Sequence, residues 1–111
     1  MATARFIQPG ETLDYTAKTA VKANDVVVLG SRVGVAGCDI AAGETGSVVM
    51  EGVFEIPKKA ATAITAGAEV YFSATAGTAS TTTTDTDAGY AVADAASDAT
   101  TVLVKLRGWH V

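Results

Sequence analysis

SVVMEGVFEIP, residues 47–57, is the stretch on which the reading of the fold turns. Side chains alternate in direction along a strand, so Val48, Met50, Phe54 and Ile56 share one face while Val49, Glu51, Val53 and Glu55 share the other. One face is wholly apolar and the other carries both charges, the pattern of a half-buried strand. Gly52 interrupts the apolar face. A glycine inside a strand marks a bulge or bend, so this stretch is expected to serve two sheets or to turn a barrel corner. Pro57 has no N–H for a further ladder bond and ends the pairing.

Working outward, the same pattern occurs twice. Asp25 opens the apolar run Val26 to Leu29; VGVA (33–36) follows, then an acidic turn at Asp39, then Val48 to Met50 closing on Gly52. In the second copy Glu69 opens Val70 to Phe72, AGYAVAD (88–94) follows, and Val102 to Leu106 closes on Gly108. Gly34 matches Gly89, Ala36 matches Ala91 and Asp39 matches Asp94, all at an offset of 55. The opening pair Asp25 and Glu69 sits at 44, and the closing strand at 54 to 56, because the second copy carries an insertion around TASTTTTDTD (78–87). A duplicated strand-turn-strand unit builds a scaffold from two similar halves.

The remaining segments fit that scheme. Residues 4–8 and 12–17 read as short strands around Pro9-Gly10-Glu11, a strong turn signal. In 32–37, Val33 and Val35 face the core, and the small residues Gly34 and Ala36 let a second surface approach closely. Residues 59–66 are long enough for at most one short helical turn, too little to be stable alone. Thr81 to Thr84 are expected as an extended edge strand with Asp85 to Asp87 in a turn; disorder of this polar stretch is the alternative. In 101–107, Val102, Val104 and Leu106 point inward and Leu103, Lys105 and Arg107 outward. The expected fold is all-β, a small barrel or sandwich of about 8–10 short strands. Residues 1–111 form one domain, with an N-terminal arm (about 1–10) and a polar hairpin (about 75–88).

Composition narrows the function. The net charge of −4 repels phosphate backbones and speaks against nucleic-acid binding. The one cysteine, Cys38, rules out an internal disulfide and reads as a small buried or half-buried side chain. Lys58 and Lys59 read as a solvated loop. MATARFIQPG lacks a signal-peptide core, and no segment has membrane-spanning length, so a chain made in a cytoplasm and staying soluble is expected.

A catalytic constellation cannot be assembled. His110 is the sole histidine and lies next to the end of the sequence; with one cysteine it cannot make a Cys/His zinc site. No GxSxG is present, and Gly43-Glu44-Thr45-Gly46-Ser47 carries an acid where a phosphate loop needs a base. Asp85 with Asp87 supplies too few ligands for a calcium cage. No enzyme, no metal and no cofactor are expected. Interest falls instead on apolar residues in the asymmetric segments. Trp109 either plugs one end of the fold or anchors a neighbouring subunit. Phe6 and Ile7 either pair with their own domain or reach onto a partner's sheet edge. With Thr82 and Thr83 of the polar hairpin, these are the candidate contact residues.

FIQPGETLDYTA (6–17), DVVVLGSRVGVAGCDIAAGE (25–44), VVMEGVFEIPK (48–58), ITAGAEVYFSAT (64–75), GYAVADAA (89–96) and VLVKL (102–106) follow one another in order. This succession resembles the capsid cement (decoration) proteins of tailed phages and prophages, over nearly the whole chain. EGVFEIPK (51–58) with AGAEVYF (66–72) is its most specific part, and Arg107 to Val111 extend past the point where members often end. The resemblance implies a small all-β protein that binds the exterior of the mature head and clamps adjacent major capsid protein subunits. It implies a virion location, synthesis in the bacterial cytoplasm, and a homo-oligomer, a trimer in preference to a dimer. The competing expectation is another virion part, a tail or head-fibre module binding a host glycan through Tyr71, Tyr90 and Trp109.

Overall fold

The computed structural model describes residues 2–7 and 10–106. Its strands are β1 (Thr12–Thr16), β2 (Val26–Leu29), β3 (Arg32–Ala36), β4 (Thr45–Val49), β5 (Gly52–Pro57), β6 (Glu69–Ser73), β7 (Thr78–Ser80), β8 (Thr86–Ala91) and β9 (Thr101–Leu106). They form two antiparallel sheets, ordered β1-β4-β3-β2 and β5-β9-β8-β6-β7. The all-β expectation holds, and the barrel alternative does not, because each sheet ends on edge strands. The second sheet does curl: Lys59 N donates to Ala79 O at 2.8 Å, so β7 meets the chain just past β5 through a single bridge.

Removing β7 leaves the same order in both sheets, with β5, β6, β8 and β9 standing for β1, β2, β3 and β4. The hydrogen bonds repeat as well. Asn24 N donates to Ala36 O as Gly67 N does to Ala91 O, and Val21 exchanges two bonds with Ile40 as Ile64 does with Ala95. These pairs align Asn24 with Gly67 and Ala36 with Ala91, offsets of 43 and 55. The opening offset is thus 43 rather than 44, and Val26, not Asp25, corresponds to Glu69. The twelve extra residues between β6 and β8 are accounted for by the β7 hairpin and its exit turn.

Residues 47–57 divide as expected. β4 ends in the first sheet, the chain breaks direction at Met50 and Glu51, and β5 begins in the second sheet at Gly52, whose φ is +120°. That backbone conformation strains any residue with a Cβ. Gly34 is required for space: a Cβ there would strike the Val48 side chain and lie 2.7 Å from Met50 Sδ.

Two apolar layers result. Val33 and Val35 pack with Ile56, Ile64, Val70, Phe72, Val104 and Leu106 of the second half, and β3 lies against its counterpart β8 where the sheets meet. On the other face of the first sheet, Val27, Ala36 and Val48 are buried, as are Ala17 and Ile40 of the connectors. Gly46 leaves room for Ile40 there.

Several local expectations are corrected. Residues 4–7 form no strand, since they find no ladder partner, and the first strand is Thr12–Thr16. Residues 59–66 do hold no more than a short turn, as expected, in which Ala61 takes a φ of +58°, and Ile64 is drawn into its bridge with Ala95. Thr81 to Thr84 are not a strand. β7 pairs with β6 over Thr78–Ser80, and the chain must then pass β6 to reach β8, through a turn in which Asp85 N donates to Thr82 O at 3.1 Å. Thr86 and Asp87 already belong to β8. Cys38 is exposed, because the turn after β3 leaves the sheet.

Lys58 is the largest departure. It is 5% exposed, and its Nζ donates to the carbonyls of Lys59 (2.9 Å), Thr62 (2.5 Å) and Ser97 (3.3 Å). The ammonium ties the loop after β5 to the loop before β9, while Lys59 stays exposed. Three carbonyl dipoles replace the water that a buried cation loses.

Candidate functional site

The sequence candidates fall in separate segments. Phe6 and Ile7 lie in the arm that precedes β1 and are 81% and 70% exposed. Large apolar side chains so exposed in succession are ones that the rest of the domain does not cover. Thr82 and Thr83 are exposed in the turn that follows β7. The arm adjoins an edge of the first sheet and the turn adjoins an edge of the second. Trp109 lies outside the described residues.

A surface that sequence reasoning did not single out lies on the outer face of the second sheet. Val53 of β5, Leu103 of β9, Tyr90 of β8 and Val92 just beyond it are all exposed. Their register brings them together: Val53 pairs with Lys105 and Lys105 with Tyr90, while Glu55 pairs with Leu103, whose carbonyl accepts from Val92 N. Lys105 Nζ stands 5.9 Å from the centre of the Tyr90 ring, within cation–π range. Thr101 Oγ1 donates to Glu55 Oε2 at 3.1 Å and holds that carboxylate on the same face. The alternation of β9 had placed Leu103 and Lys105 outward; Val53, Tyr90 and Val92 join them only through strand pairing.

An open groove of about 370 Å³ runs between the edge strand β2 and the end of the second sheet. Val26 and Val28 form one wall, Pro57, Phe72, Ala74 and Gly77 the other, and Asn24 and Asp25 lie at its rim. Its lining is mainly apolar.

Among the described residues no three His, Cys, Asp or Glu side chains gather as a metal site. The described residues present exposed apolar side chains, sheet edges and an open groove. Residues 7–106 match the family model described as Phage cement protein, and the chain belongs to that family. It is thus a phage structural protein of the cement type. No curated protein and no solved structure matches it.

Proposed function

We propose that this protein binds the exterior of the mature phage head and stabilises the lattice of the major capsid protein, without catalysis. The observation that carries the reading is the family match over residues 7–106. The surfaces are consistent with it. The outer face of β5, β9 and β8 mixes apolar side chains with Glu55 and Lys105, as interfaces that are also stable in water do. We assign this face and the Thr82–Thr83 turn to capsid contact, and Phe6, Ile7 and Trp109 to contact with capsid or with a neighbouring subunit. The protein is made in the bacterial host's cytoplasm, acts as a homo-oligomer, and gains avidity from repetition over the lattice rather than from any single tight contact.

The test is to add purified protein to heads that lack it and to measure occupancy together with resistance to heat. Saturable occupancy with raised heat resistance is the expected result. Absence of binding, beside hits on a glycan array, would overturn the reading in favour of a host-binding module.

A further inference from the structure

Edge strands in proteins that remain separate are usually blunted by charge, proline, a bulge or a covering segment. β1 (TLDYT) is polar, β5 carries Glu55 and Pro57, and β7 is bridged by Lys58 and Lys59. β2 is Val26-Val27-Val28-Leu29, with no charge, proline or bulge, and it is an edge of its sheet. Asp25 O accepts from Ala36 N on the β3 side, so by the alternation of an antiparallel pair the N–H and C=O groups of Val26 and Val28 point away from the sheet. Beside them lies the apolar groove walled by Val26, Val28, Phe72 and Pro57. An edge with two unused residues and a groove alongside is suited to strand addition by an extended apolar peptide.

The chain carries such a peptide. The arm (residues 2–7) has no ladder of its own and leaves Phe6 and Ile7 exposed. We propose that the arm of one copy adds as a strand to β2 of a second copy, with Phe6 seated in the groove. A ring and one or two small side chains suit the groove's volume of about 370 Å³. Charge agrees as well. Arg5 adjoins Phe6, and the exposed Asp25 stands at the groove's rim. The arm does not occupy its own β2 in this structure, since Phe6 and Ile7 are exposed, and it precedes β1, the opposite edge of the sheet, three strand spacings or roughly 14 Å away. The proposal deepens the homo-oligomer reading and does not depend on the capsid, because no head takes part in its test.

The test uses single-cysteine proteins in a Cys38→Ser background, which removes the exposed native thiol. Phe6→Cys protein is mixed with a tagged Ala74→Cys protein under mild oxidation; Ala74 is exposed and lines the groove. A disulfide-linked heterodimer is expected, and a Phe6→Cys mixture with Asp98→Cys protein should give far less. In parallel, sedimentation of the full chain should show association weakened about tenfold by Arg5→Glu and recovered when Asp25→Arg is added. Arg5 lies in the exposed arm, so its variant tests association without touching the fold. No heterodimer above the control would overturn the proposal. So would a purely intramolecular disulfide in the Phe6→Cys/Ala74→Cys double variant, or association indifferent to Arg5→Glu and Phe6→Ala.

Discussion

Asp39 and Asp94 make the same hydrogen bond in the two halves of the molecule. Asp39 Oδ1 accepts from Ala23 N at 2.8 Å, and Asp94 Oδ1 accepts from Ala66 N at 2.7 Å. Each carboxylate, in the loop after β3 or β8, clamps the connector that enters β2 or β6. The two halves therefore share a way of fastening their turns as well as a strand order. Asp39→Ala and Asp94→Ala should each lower stability by about 1 to 2 kcal/mol, toward the lower end of the roughly 1.5–3 kcal/mol of a bond to a charged group because both bonds are exposed to water. The two clamps lie in different halves, so the double variant should show near-additive losses in urea unfolding.

Two glycines of the first half should respond to alanine for different reasons. Gly34→Ala meets Val48 and Met50 and is expected to cost about 1 to 3 kcal/mol by overpacking. Gly30 has open space around it but a φ of +60°, so Gly30→Ala should cost only the backbone strain, roughly 1 kcal/mol. Urea midpoints of the two variants should rank in that order.

Lys58→Met keeps most of the buried stem and removes the ammonium, leaving the carbonyls of Lys59, Thr62 and Ser97 without that donor. A loss of about 2 kcal/mol is expected. The neighbouring Lys59→Met should stay within about 0.5 kcal/mol, as an exposed side chain does. Thermal unfolding of the pair measures the contrast, and equal effects would contradict the carbonyl cradle.

The outer face of the second sheet should separate function from stability. Leu103→Lys, opposite Glu55, and Val53→Glu, opposite Lys105, lie on exposed positions and should leave unfolding within about 0.5 kcal/mol of the parent. If this face meets the capsid, their affinity for undecorated heads should fall about tenfold or more, since an ammonium or a carboxylate would have to be desolvated where an apolar side chain had been buried. Cosedimentation of labelled protein with heads measures it.

Much of this architecture was legible before any coordinate. The alternation in 47–57 with Gly52 at the break located the crossing between sheets, because a period of two and a glycine are local properties. The repeat was legible through Gly34 with Gly89 and Asp39 with Asp94, which recur wherever the same turn must be made. The inward set of β9 followed from its own alternation. Reading Asp25 against Glu69 missed by one residue, since acidic character is not register; hydrogen bonds fix register.

By itself, then, the sequence determined the class of fold, the duplication, the sheet crossing at Gly52 and the poverty of catalytic groups. Each depends on residue type and spacing along the chain. Tertiary structure alone decided that Lys58 is buried, that Val53, Tyr90, Val92 and Leu103 form one surface, and that β2 is left bare beside a groove. The physical reason is that those properties belong to pairs of segments far apart in the chain. Lys58 becomes buried only because Ser97 is brought to it, and β2 becomes an edge only because β3 turns its other side to β4.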